Sequence, residues 1–157
     1  MANIVPNSFK SGLLKGTFNF DTSGNGGNAF KCALYTSIGS YSTASTVYLA
    51  GTGNGEVSSS GTSYTAGGNA LTNNGIAGTT TAFVDFADLT FGTATVTARG
   101  CMIYNSTDSN KSVATIDFGG DKTSTAGDFT IVFPAAAASR GAGARRERKG
   151  GGCQRSC

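Results

Sequence analysis

Residues 81–105 read TAFVDFADLTFGTATVTARGCMIYN. Threonine, valine, phenylalanine and isoleucine dominate the run, and such side chains suit a pleated, half-buried surface. Apolar positions recur with a period of two rather than 3.6. Asp88 and Gly100 punctuate the run, so the spacing predicts three strands: TAFVDF (81–86), LTFGTATVTAR (89–99) and CMIYN (101–105). SVATIDF (112–118) and FTIVF (129–133) continue the series, again bounded by Gly, Asn or Asp. Short strands separated by turn signals every 8–12 residues or so indicate a sandwich or barrel. No long helical stretch is available to cross between parallel strands, so the pairing is expected to be mainly antiparallel.

Upstream, Phe18 and Phe20 alternate with polar neighbours, and DTSGNGGN (21–28) reads as a loop. In FKCALY, Phe30, Cys32 and Leu34 share one strand face, with Lys31, Ala33 and Tyr35 on the other. Residues 36–53 are rich in Ser, Thr and Gly and predict a long loop, and residues 54–72 predict two or three very short strands. At the start, residues 7–15 place Phe9, Leu13 and Leu14 on one helical face, with Asn7 or Ser8 placed to cap the helix and Gly16 to end it. The expected fold is all-β: a single antiparallel β-sandwich, jelly-roll-like, with one short N-terminal helix. Three segments follow: an N-terminal arm (1–16), a β-sandwich domain (17–134) and a basic, flexible C-terminal tail (135–157). The expected core is Phe18, Phe20, Phe30, Leu34, Phe83, Phe86, Phe91, Val96, Ile103, Ile116, Phe118, Phe129, Ile131 and Phe133.

Composition narrows the chemistry. The chain of 157 residues holds 24 Gly, 13% charged residues, no His and no Trp. Without His there is no Ser-His-Asp or Cys-His arrangement, and the commonest metal ligand is missing. No run approaches the roughly 18 apolar residues of a membrane helix. MANIVPNSFKSGLLKG lacks the charged start and apolar run of a secretory signal, so synthesis in the cytoplasm is expected. Cys32 and Cys101 fall inside strand runs and are expected to be buried and unpaired. The tail carries six basic residues and one acidic, +5, while residues 1–134 carry six basic and eight acidic, −2. Its run ARRERKGGG has no interleaved aromatic residue on which bases would stack, so a nucleic-acid role is not favoured.

Several motifs have a bland reading that outweighs the functional one. DTSGNGGN places Asp21, Ser23, Asn25 and Gly26 like the start of a calcium loop, but Cys32 stands where a bidentate Glu is needed. GTGNGE (51–56) is Gly-rich but lacks the strand–turn–helix setting of a nucleotide loop. Asp85, Asp88, Asp117, Asp121 and Asp128 sit at strand ends, where Asp is a turn former, rather than across a sugar cleft. Asn105-Ser106-Thr107 spells a glycosylation acceptor in a chain with no sign of export. Neither catalytic residues nor a cofactor is expected.

With the strands placed, EVSSSGTSYTAGGNAL (56–71), DFADLTFGTATVTARGCMIYN (85–105) and ATIDFGGDKTSTAGDFTIVF (114–133) carry a resemblance. Together with NSFKSGLLKG and KCALYTS they resemble a group of small virion proteins of tailed bacteriophages, in the same order and over roughly residues 7–134. Members end in a short apolar segment; here the basic, Cys-bearing tail replaces it. The resemblance implies a virion structural protein, a capsid decoration or cement protein that binds the major capsid protein and copies of itself, located on the capsid surface and not at a membrane. A tail-fibre, tail-tip or head-fibre module that contacts the host surface is the alternative. Partner contacts are expected from Phe9, Leu13 and Leu14 of the N-terminal helix and from Arg145, Arg146, Arg148 and Lys149 of the tail.

Overall fold

The computed structural model describes residues 3–22, 26–78 and 81–134. One short helix, α1 (Asn7–Leu14), precedes six strands: β1 (Phe30–Tyr35), β2 (Asn69–Leu71), β3 (Asn73–Ala77), β4 (Phe83–Phe86), β5 (Leu89–Asn105) and β6 (Lys111–Ile131). Every named strand pair is antiparallel. A four-stranded sheet has the order β2-β1-β5-β6, and β3-β4 form a separate two-stranded sheet. The all-β antiparallel expectation with one short helix is met. The two sheets do not close on one another, and this strand order does not establish a jelly-roll sandwich.

The helix ends as expected, with Gly16 at φ +70° and its N–H bonded to the Leu13 carbonyl. Its start differs. Pro6 occupies the N-cap and no side chain caps the first turn, so neither Asn7 nor Ser8 has that role. Gly12 is buried against Phe18, whose ring lies 2.5 Å from where a Cβ would be. A glycine there lets the helix seat on the ring.

The strands expected at 89–99 and 101–105 are one, and those at 112–118 and 129–133 are joined through GGDKTSTAGD into one. The turn-forming residues act as bulges instead of ends. Between the pairs Ala98↔Lys122 and Gly100↔Asp117, β5 advances two residues while β6 advances five, so Phe118–Asp121 bulge out with Gly119 at φ +75°. Between Phe91↔Phe129 and Ala94↔Gly127 the surplus is on β5, where Thr93 takes φ +52°. That slip keeps Leu89, Phe91, Ala94, Val96 and Ala98 all facing inward.

The main core joins Phe18, Phe20, Phe30, Leu34, Phe86, Phe91, Val96, Ile103 and Phe129, with Ile116, Phe118, Ile131 and Phe133 half-buried against it. Phe20 stacks on Phe30 with centroids 4.5 Å apart, and Phe86 meets Phe30 edge-on at 5.8 Å. Phe83 is corrected: it lies outside this cluster and is half-exposed, while Val84 packs inward. Phe83 and Phe86 are three apart, an odd spacing that one face of a regular strand cannot hold.

A second buried cluster lies on the other face of the four-stranded sheet: Ala33, Tyr35, Ile38, Tyr41, Met102 and Tyr104. Residues 36–57 cover that face, so β1 and the end of β5 are buried on both sides. Short segments also line the outer edge of β6, through single bridges Ile4↔Thr115 and Val47↔Lys111. Among the described residues no helix is long and apolar enough to cross a membrane.

Candidate functional site

Two features of this frame bear on function: a buried polar clasp and the bare sheet half that the clasp leaves outward. The clasp centres on Glu56, the only glutamate before the tail. The residue is 2% exposed. One carboxylate oxygen accepts from the Tyr64 hydroxyl at 2.8 Å and the Gly67 N–H at 2.7 Å. The other accepts from the Tyr48 hydroxyl at 2.8 Å and the Gly51 N–H at 2.6 Å. Four donors thus replace the water lost on burial.

All five tyrosines of the chain gather around this carboxylate. Tyr104 stacks on Tyr48 at 4.5 Å and donates to the Gly67 carbonyl at 2.7 Å. Tyr35 meets Tyr41 edge-on at 5.0 Å and donates to the Leu49 carbonyl at 2.9 Å. Burial, then the nearby Glu56 charge, pushes Tyr104 up to about 12. Burial also holds Tyr48 and Tyr64 well above the ordinary tyrosine range, with the Glu56 hydrogen bond adding to it. Tyr35 is raised by burial and by the adjacent Tyr41 hydroxyl. The hydroxyls therefore stay protonated donors.

The segment EVSSSGTSYTAGG is thus a folding device. Glu56, Tyr64 and Gly67 make the hydrogen bonds, and Gly68 makes the close approach: at φ +69°, its Cβ would stand 1.8 Å from the Cys32 carbonyl oxygen. GTGNGE folds into a single 3-10 turn, Thr52–Asn54, that presents the Gly51 N–H to Glu56.

Past the part covered by residues 36–57, the sheet face is bare among the described residues. Thr90, Thr95 and Thr97 of β5 and Thr123 and Thr130 of β6 are exposed. Hydroxyls pair directly across the strands, Thr90 with Thr130 at 2.9 Å and Thr97 with Thr123 at 3.0 Å. Where the loop meets this face there is a cleft of about 280 Å³ lined by Thr36, Ser37, Ile38, Gly39, Arg99, Asp117 and Asp121. Arg99 stands between the two carboxylates, 3.6 Å from Asp117 and 3.7 Å from Asp121. The bulge of residues 118–121, between the paired positions Asp117 and Lys122, creates this arrangement.

The residues expected to touch partners separate. Phe9 packs on the chain's own core, 4.8 Å from the Phe18 ring and 6.2 Å from Phe20. Leu13 and Leu14 point outward, Leu14 being 92% exposed. Arg145, Arg146, Arg148 and Lys149 lie outside the described residues, as do Ser23 and Asn25 of the calcium-like loop. Asp85, Asp88 and Asp128 accept hydrogen bonds from Asn74, the Phe133 N–H and the Thr93 N–H, as turn and bulge formers do. Asn105 of the glycosylation triplet is fully buried and bonded to Asn28. Cys32 and Cys101 are buried and unpaired, and their mutual hydrogen bond, with burial, raises the Cys32 thiol well above its usual range. Among the described residues no group of three or more Cys, Asp or Glu is placed to hold a metal ion.

The sequence reading did not find Glu56 and its tyrosines. A lone glutamate followed by Tyr and Gly-Gly within a polar loop was the available signal. No family model, no curated protein and no solved structure matches this chain.

Proposed function

We propose that this chain is a non-enzymatic virion structural protein, a capsid decoration protein that binds and reinforces the major capsid shell of a tailed bacteriophage and associates with its own copies. The observation that carries the reading is the bare half of β5–β6. It is an extended, hydroxyl-covered face whose outer strand edge, from Gly119 to Ile131, has no strand partner among the described residues. The three segments that carry the resemblance build the frame behind that face: the Glu56 clasp, β5 and β6. A subunit of this kind holds on by many weak contacts repeated around a shell, so avidity replaces any single strong site. Leu13 and Leu14 offer a separate apolar contact, and the +5 tail adds a salt-sensitive term on an acidic shell.

A second reading, a tail-fibre, tail-tip or head-fibre module, is favoured by the Arg99 cleft. A guanidinium between two carboxylates, beside the Thr36 and Ser37 hydroxyls, suits the polyol edge of a surface glycan. Copy number in purified virions separates the two. Hundreds of copies per particle, measured against the major capsid protein, support decoration; a few dozen or fewer support the tail reading; none overturns both.

A further inference from the structure

We propose that residues 3–14 are an exchangeable arm, and that their seat on β6 accepts the same residues from a second copy of this chain. This deepens the self-association part of the reading above and rests on it, but it is tested without particles, so either can fail alone.

The seat is specific. Ile4 and Thr115 exchange both backbone hydrogen bonds, at 2.8 and 2.9 Å. The Asp117 N–H donates to Asn3 Oδ1 at 3.0 Å, and the Asn7 N–H to the Thr43 carbonyl at 2.9 Å. Pro6 is fully buried. Yet the docking is imperfect on both sides. Ser8 Oγ on the arm and Thr115 Oγ1 on the seat are buried without a hydrogen-bond partner, and such groups are destabilising. The strand contact is one isolated bridge, and the eight-residue helix has no side-chain cap, a length that is marginal alone.

The hinge is tight. Thr17 N–H returns to the Gly12 carbonyl at 2.8 Å, and Gly16 sits at φ +70°. Opening such a turn lets an arm leave its own body, and a second copy's arm then makes the same contacts by identity of sequence.

The test uses full-length chains in which Cys153 and Cys157 are replaced by Ser. One chain carries Ile4→Cys and a tag, the other Thr115→Cys. Residues that exchange both hydrogen bonds have Cα atoms about 5.5 Å apart, within disulfide reach. The two are unfolded, mixed, refolded at high concentration and oxidised with glutathione disulfide, which takes up the two electrons as two thiols. The expected product is a covalent heterodimer, mapped to positions 4 and 115, whose yield rises with protein concentration. Its absence, while a single Ile4→Cys/Thr115→Cys chain closes internally, overturns the proposal. Should the substituted chains not fold, sedimentation of the unsubstituted chain decides: a dimer lost when residues 3–14 are deleted supports the arm, and a monomer at millimolar concentration overturns it.

Discussion

The Tyr64 hydroxyl donates to the Glu56 carboxylate at 2.8 Å, inside the protein and eight residues along the chain. The same hydroxyl accepts the Leu34 N–H at 3.1 Å, so one side chain ties the loop to β1. Glu56→Gln turns a four-donor acceptor into a group that itself donates, and leaves at least one buried donor facing another. A loss of about 3 kcal/mol is expected, read as a lower urea midpoint at constant slope. Tyr64→Phe should cost about 2 kcal/mol. A Gln variant as stable as the parent contradicts the clasp.

Alkaline pH should unfold the protein through the tyrosines. The folded state keeps Tyr104 protonated to about 12, against an ordinary 10.0, and holds Tyr35, Tyr48 and Tyr64 higher still. A raised folded value means that the stabilisation is complete below the unfolded value and lost above it. Stability should be level up to pH 10 and fall beyond it, by about 1.4 kcal/mol per pH unit for each tyrosine ionised only when unfolded. Denaturation midpoints that stay constant through this window contradict it.

Glycine substitutions should divide by space rather than by dihedral alone. Gly61 (φ +71°) has nothing within 4 Å of its missing Cβ, while at Gly68 (φ +69°) the Cβ would collide with the Cys32 carbonyl. Gly61→Ala should cost about 1 kcal/mol. Gly68→Ala should exceed about 4 kcal/mol or abolish folding, since backbone must move. Equal thermal midpoints for the two variants would contradict the close approach.

Cys32 and Cys101 should be chemically silent in the native protein, both being buried free thiols that share a hydrogen bond. With Cys153 and Cys157 replaced by Ser, thiol titration should give no reaction until denaturant is added, then two equivalents. A native mass two units low, mapped to this pair, would show a disulfide instead.

Much of the frame was legible because β-branched and aromatic alternation survives in short windows. Phe91, Val96 and Ile103 could be placed inward from their neighbours alone. Strand continuity could not: Gly100 and GGDKTSTAGD look like turns, and only the register of β6 against β5 makes them bulges. The second core was hidden for a related reason. Tyr35, Met102 and Tyr104 are buried by residues 36–57, whose Ser- and Gly-rich composition gives no period to read. Glu56 was illegible because its partners lie 5 to 11 residues away in loops, and polar loop residues normally face water. The helix pattern put Phe9, Leu13 and Leu14 on one face; the structure separates them, with Phe9 turned inward against Phe18 and Phe20 and Leu13 and Leu14 outward.

The most direct test of the assembly reading is a cryo-electron map of intact particles of the kind that reading assigns to this chain. The expected result is a β5–β6 frame at regular lattice positions on the outer capsid, with the threonine face or the β6 edge against the major capsid protein. Density for the frame confined to the tail, or missing from the particle altogether, contradicts it.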